Sequence, residues 1–257
     1  MVLVHLPRTG GSAVQYHLEL RLGKRNVARV RQLSDLSSRR LELRSTRLVV
    51  GHICHPITTL LPSHLVATVV RDPVERGISV WEYLQRPSDR PAHKRLRSSG
   101  VRTIEEFAQD PLLAGHVREN QTRLLGADCD AEAILSALEA GEIDAAEANR
   151  LVAEATRRPP DASTLERAKR RLERMSVVGL TEELDSFVRR VERAIGLPPG
   201  RAVRRHNATP LGTVDRRPDE YSEDTRRRLA ELNRFDSELH AFARELLALK
   251  EPAPRAS

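Results

Sequence analysis

Residues 5–12, His5-Leu6-Pro7-Arg8-Thr9-Gly10-Gly11-Ser12, run from an apolar segment into two glycines, a hydroxyl residue and then a helical pattern that starts at Ala13. A glycine pair at a strand-to-helix turn lets backbone N–H groups converge on an anion, most often a phosphate. The loop lacks the GKS or GKT ending that sets a lysine on the β- and γ-phosphates and a hydroxyl on magnesium, and no Walker B aspartate closes an apolar strand. Such a loop by itself is more often an ordinary turn than a binding device.

A second group raises its significance: Arg71-Asp72-Pro73-Val74-Glu75-Arg76-Gly77-Ile78-Ser79. Arg71 falls at the carboxyl end of an apolar run, where open α/β sheets bind ligands, and Ser79 falls about two turns along the helix behind it. A guanidinium can grip a phosphate bidentately, with a serine hydroxyl completing the site. Loop and pair together describe a ligand with two separated phosphates.

The elements that must position these groups read as a doubly wound sheet. Residues 2–6 form a short buried strand and 13–22 the helix after the glycines. Runs 48–51, 65–70 and 177–180 are further strands whose continuous hydrophobicity suits burial on both faces, as in a parallel sheet. Pro73 opens a helix to about Gln85, where its missing N–H costs nothing. Thr103 and Glu106 make a capping box for a helix through Gln109. Segments 131–140, 165–175, 182–195 and 223–249 are the other helices, and the tail after Pro252 frays. Residues 86–102, with Pro87, Pro91 and six lysines and arginines, read as a mobile basic surface loop, and 127–165 as a solvated helical insertion. The fold class expected is α/β, three-layer α/β/α around a central parallel sheet, with residues 1–257 as one domain.

Composition bounds the partners. The chain has 43 lysines and arginines against 36 acids, a net charge of +7, which favours anionic partners without choosing among nucleotides, glycans, nucleic acid or lipid headgroups. No stacking aromatics interleave the basic residues, which argues against nucleic acid. Two cysteines, Cys54 and Cys129, make neither a disulfide framework nor a zinc site. The first strand starts at Val2 and no apolar run approaches the length a bilayer requires. These features lead to the expectation of a cytoplasmic protein without a signal peptide or transmembrane segment; oligomeric state is not readable.

The two motifs resemble those of sulfotransferases that use 3′-phosphoadenosine 5′-phosphosulfate (PAPS), in the branch of carbohydrate and heparan sulfate 2-O-sulfotransferases and their bacterial relatives. That family carries a loop similar to H-x-P-K-T-G-G-T/S for the 5′-phosphosulfate and R-D-P-x-x-R-x-x-S for the 3′-phosphate. Further resemblances follow in order at Gly51-His52, 120–126, 178–184 and Asn233-Arg234-Phe235-Asp236. The resemblance implies a fold like that of P-loop nucleotide kinases, PAPS as donor, adenosine 3′,5′-bisphosphate (PAP) as product, and a carbohydrate, glycosylated or secondary-metabolite hydroxyl as acceptor. It implies nucleotide binding by Arg8, Thr9, Gly10, Gly11, Ser12 and Ala13 on the 5′ side, by Arg71 and Ser79 on the 3′ side, and by Arg205 and Asn207 before a loop, 208–215, that closes over the adenine.

In-line sulfuryl transfer leaves negative charge on the departing phosphate, so fixed donors must await it. Loop amides at a helix N-terminus suit that role, and Arg8 adds a full charge. The family's lysine there can also donate a proton; an arginine cannot easily do so, which leaves Arg8 an electrostatic part. The resemblance puts the general base at His52, whose imidazole titrates near neutrality. His55 is the second candidate, and Asn120, Gln121 and Arg123 a polar patch near the acceptor. The three histidines 5, 52 and 55 lack the acidic or thiolate ligands of a metal site, so no metal is expected. The rival readings are an ATP-dependent P-loop phosphotransferase and a non-catalytic binder of an anionic partner.

Overall fold

In a computed structural model the described residues are 1–61, 65–200, 202–203 and 221–250. Five strands, β1 (Val2–Val4), β2 (Val27–Arg29), β3 (Leu48–Gly51), β4 (Val66–Val70) and β5 (Val177–Leu180), form one sheet in the order β2-β3-β1-β4-β5. Every pairing is parallel; Leu3 of β1 sits between Val50 of β3 and Ala67 of β4. The α/β fold with a parallel sheet covered on both faces is as the sequence implied.

The faces follow from strand alternation. Leu3, Val50, Ala67 and Val69 point to one side and pack with Val14, Leu18 and Leu22 of helix Gly11–Leu22 and with Phe187, Val188 and Val191 of helix Leu184–Ala194. Val4 and Val70 point to the other side, against Leu165, Ala168 and Leu172 of helix Ala162–Arg174 and Leu239 and Ala243 of helix Arg234–Lys250. Each fully buried leucine, valine or phenylalanine contributes about 1.5–3 kcal/mol, so the two faces hold the sheet independently.

Some elements differ from the sequence reading. β2 has no counterpart there: it is three residues long and buries only Ala28. The segment 86–102 contains a helix, Pro91–Ser98, whose His93 and Leu96 are buried against a satellite cluster with Trp81, Phe107 and Leu113. Residues 181–183 are a 3-10 turn before helix Leu184–Ala194, and the long helix expected over 223–249 is two, Glu223–Glu231 and Arg234–Lys250. The break has a physical cause at Asn233, whose Oδ1 accepts the Glu119 N–H at 2.9 Å while its Nδ2 donates to the Leu229 carbonyl. Glu119 in turn accepts the N–H groups of Phe235 and Asp236, and Asp236 accepts those of Gln121 and Thr122. Two helix starts thus cap one another, satisfying donors that a helix leaves open. Within 127–165, helices Ala131–Glu139 and Ala145–Arg157 bury Ala148 and Val152 on the cluster around Val2, Val49 and Ile53. Among the described residues no helix is long and apolar enough to cross a membrane. The tail after Pro252 lies outside them.

Candidate functional site

The strand order fixes where a site can form. β1 leads to β2 on one side and β4 leads to β5 on the other, so their crossovers diverge and leave a crevice at the adjoining strand ends. The loop after β1 enters this crevice flanked by the chain leaving β3, which carries His52, and the chain leaving β4, which carries Arg71. A cleft of about 1360 Å³ opens there, lined by Arg8, Gly10, Ser12, Ala13, His52, Arg71 and Ser79 among others.

The glycine loop is built for close approach. Gly10 takes φ +86° at the start of helix Gly11–Leu22, a conformation glycine adopts without steric cost. A Cβ on Gly11 would stand 2.1 Å from Cδ2 of the buried His5 ring, so the ring and the helix start touch with no room for a side chain. Ala13 and Val14 donate to the Gly10 carbonyl. The preceding amides, those of Gly11 and Ser12, are the donors a first helical turn leaves for an anion, at the positive end of the helix dipole. Thr9 is buried: its Oγ1 donates to the Leu6 carbonyl at 2.9 Å and its own carbonyl accepts from Thr181 Oγ1 at 2.8 Å, which anchors the loop to the end of β5. Arg8 has φ +69°. A non-glycine residue held there costs on the order of 1–2 kcal/mol, and such strain gathers at functional sites.

Arg71 is set from three sides. Asp72 caps helix Pro73–Gln85 by accepting the Glu75 N–H at 3.0 Å, with Pro73 at its first position. Gln121, fully buried, clamps the Arg71 main chain: its Oε1 accepts the Arg71 N–H at 2.9 Å and its Nε2 donates to the Arg71 carbonyl at 2.8 Å. The Arg71 guanidinium then donates to the Arg8 carbonyl at 3.0 Å, tying the segments after β1 and β4 together. Burial holds its pKa below the usual arginine value.

The Arg8 side chain does not turn back over its own loop. Its Nε donates to Ser79 Oγ at 3.1 Å and its guanidinium carbon lies 4.7 Å from the centre of the Tyr83 ring. Burial, then the neighbouring Arg86 and Arg71, bring its pKa down to about 10, so it stays charged at neutral pH.

His52 faces the cleft and stacks on His5 with ring centroids 4.1 Å apart. Its Nδ1 is 2.8 Å from the His5 carbonyl oxygen. A carbonyl only accepts, so Nδ1 carries the hydrogen and Nε2 keeps its lone pair. Burial lowers the His52 pKa more than the bond to His5 raises it, and Arg31 and Arg90 lower it further. His5 is pushed down to about 3 by burial, His52 and Arg8. Both imidazoles are therefore neutral at pH 7.

The other sequence candidates lie apart from the cleft lining. His55 starts helix His55–Thr58; its Nδ1 is buried without a partner and its pKa falls to about 4 through burial and Arg171. Gln121 serves the Arg71 backbone, and Arg123 is buried and donates to the Gly115 carbonyl, to which Asn120 Nδ2 also donates weakly at 3.5 Å. These contacts make 120–123 a framework for the site. Arg205, Asn207 and the loop 208–215 lie outside the described residues. Sequence reading assigned no site role to Arg29, Arg31, Tyr83, Arg90, Thr181 and Arg189, all of which line the cleft. The first fifty residues do hold ten basic side chains against three acids, but a charge count gives no direction.

No family model matches the chain. Over 196 residues it is 29% identical to heparan-sulfate 6-O-sulfotransferase 2 of Danio rerio, an alignment covering 70% of this chain and 37% of that protein. The chain thus spans well under half the length of this relative, and the similarity is to a 6-O-sulfotransferase where the sequence motifs suggested the 2-O branch. At this distance the comparison supports a sulfotransferase relationship in general, over most of the chain.

Proposed function

We propose that the chain transfers a sulfuryl group from PAPS to a hydroxyl of a carbohydrate or of a glycosylated or small-molecule acceptor. The observation that carries this reading is the meeting, in one cleft, of the Gly10–Ser12 amides after β1 with Arg71 and Ser79 after β4, beside an imidazole whose Nε2 is open. Two cation-bearing segments tied by one hydrogen bond suit a nucleotide with phosphates at both ends of its ribose.

In this reading the Gly11 and Ser12 amides stabilise the departing phosphate oxygen, and Arg71 with Ser79 holds the 3′-phosphate. PAPS supplies the activated sulfuryl group. His52 Nε2 takes the acceptor proton as the new O–S bond forms and the S–O bond to phosphate breaks, releasing PAP. In this reading the transfer is metal-independent, since the loop lacks the GKS or GKT ending and no Walker B aspartate closes an apolar strand. We infer that residues 1–257 act as one catalytic domain, in which 127–165 is an elaboration sharing the cluster under β1 and β3.

The test is thermal stabilisation by PAP, ADP and ATP with magnesium, because a ligand that binds only the folded state raises Tm by mass action. PAP is expected to stabilise most, with chelator having no effect on turnover. Stabilisation by magnesium–ATP above that by PAP overturns the reading in favour of a phosphotransferase. Tight PAP binding without sulfation of any glycan or phenol in a broad panel leaves a non-catalytic binder.

A further inference from the structure

The chain's two cysteines, Cys54 and Cys129, come from distant parts of the sequence and meet beneath the sheet, away from the cleft lining. Cys54 leaves β3 and sits just before helix His55–Thr58, buried in the cluster that holds Ile53, Ile57 and Ala127. Cys129 stands between Asp128 and Asp130, the cap of helix Ala131–Glu139, and is half-buried against the same cluster. A hydrogen bond joins the two thiols, and both are free.

The two sulfurs are not equivalent. The bond from Cys54 holds the Cys129 thiol below its ordinary pKa; Arg171 adds to this, while burial, Asp128 and Asp130 act against it. The Arg171 guanidinium is fixed nearby by donating to the Leu125 and Ala127 carbonyls at 2.6 and 2.7 Å. The same thiol–thiol bond, together with burial, pushes the Cys54 pKa up. The thiolate is the nucleophilic form of cysteine, so Cys129, the more accessible of the two, is the more reactive. An accessible thiol of lowered pKa beside a second thiol able to resolve its oxidised form is the pairing that senses peroxide.

We propose that Cys54 and Cys129 form a redox site, which a peroxide converts to an intrachain disulfide, Cys129 reacting first and Cys54 resolving. With hydrogen peroxide, the Cys129 sulfur forms an S–O bond as the O–O bond breaks, leaving a sulfenic acid and one water. The Cys54 sulfur then attacks that sulfur; the S–S bond forms, the S–O bond breaks, and the hydroxyl departs with the Cys54 proton as a second water. Two thiols are oxidised by two electrons and the peroxide is reduced to water. The cross-link joins the segment leaving β3, just past His52, to the start of the insertion at 127–165. This inference does not depend on the nucleotide reading.

Hydrogen peroxide titration of the full chain, read by intact mass and non-reducing peptide mapping, tests it. The unmodified protein is expected to lose two hydrogens and yield one cross-linked Cys54–Cys129 peptide pair, reversed by dithiothreitol. With dimedone present to trap sulfenic acid, Cys54→Ser should be labelled at Cys129, and Cys129→Ser should be labelled at Cys54 at least about tenfold more slowly. The map of the unmodified protein stands even if a variant folds poorly. Cysteines that stay reduced at peroxide levels that oxidise free cysteine, that pass to sulfinic acid without cross-linking, or that join two chains instead of one overturn the site. Labelling of Cys54 as fast as Cys129 overturns the assigned order.

Discussion

His52→Ala is the perturbation that weighs most on the catalytic reading. In the structure the imidazole has one committed nitrogen, Nδ1–H on the His5 carbonyl at 2.8 Å, and one open nitrogen facing a cleft. Positioned general bases contribute about 10²–10⁴ in rate, and alanine leaves no group to take the proton, so kcat should fall by that factor. PAP affinity should not change, because the residues assigned to the nucleotide lie in the segments that follow β1 and β4 while His52 follows β3.

The pH profile sharpens the test. Only neutral His52 can accept a proton, and its pKa lies below the ordinary 6.5 because burial, Arg31 and Arg90 outweigh the bond to His5. The rate should therefore be flat through pH 7 and fall only as the pH drops below 6.5, with the acid limb absent from His52→Ala. PAP formation with desulfated heparin or a phenolic glycoside as acceptor, followed from pH 5 to 9, measures both quantities. An acid limb that survives in His52→Ala would refute the assignment, because it cannot arise from this imidazole.

Gly11→Ala should cost about 1–3 kcal/mol in urea unfolding, since its Cβ would stand 2.1 Å from the buried His5 ring and overpacking of that size displaces neighbours; unchanged stability would mean that the His5–His52 stack is loose. Gln121→Leu should cost about 2–4 kcal/mol by orphaning both main-chain groups of Arg71, and should weaken PAP binding with it; unaltered PAP affinity would show that the Arg71 side chain is held without this clamp. Folding stability should fall as pH drops from 6.5 towards 4. The unfolded chain protonates His5 and His55 in that window while the native state, at about 3 and 4, does not; the slope in denaturant titrations should be reduced in His5→Gln.

Four of the five strands were legible because residues covered by helices on both faces of the sheet must all be apolar, which leaves runs such as Leu48-Val49-Val50 in the sequence. β2 carries no such run: an edge strand of three residues with one buried side chain looks like any Val-Ala-Arg. The break at Asn233 was invisible for a different reason, since the helical period continues across it and the cause is a cap supplied from Glu119, far away in the chain. The site divides in the same way. The amide loop, Arg71 and Ser79 come as local patterns, each on one strand-turn-helix unit whose geometry the spacing dictates. Tyr83, Arg31, Arg90 and Thr181 converge from separate segments, and nothing local distinguishes them from solvated residues. Gln121 sat in a polar cluster that could have faced a ligand, and only tertiary contact shows it serving the Arg71 backbone.

The same convergence brings arginines and carboxylates together on the cleft wall. Carboxylates are near: Glu82 and Glu182 both act on Arg71, yet Glu182 lies 3.8 Å from His240 and Glu75 is paired with Arg226 at 2.7 Å. Burial first, then repulsion from Arg86 and Arg71, draws the Arg8 pKa down to about 10, with Glu82 acting against them. The left-handed backbone at Arg8 costs folding free energy here, while the two apolar faces of the sheet favour folding. Strain of this kind gathers at functional sites, and charge screening makes the binding of an anion among arginines depend on ionic strength. Binding of a 3′,5′-bisphosphate should weaken with salt more steeply than binding of a 5′-monophosphate, because in the proposed reading only the former also engages Arg71.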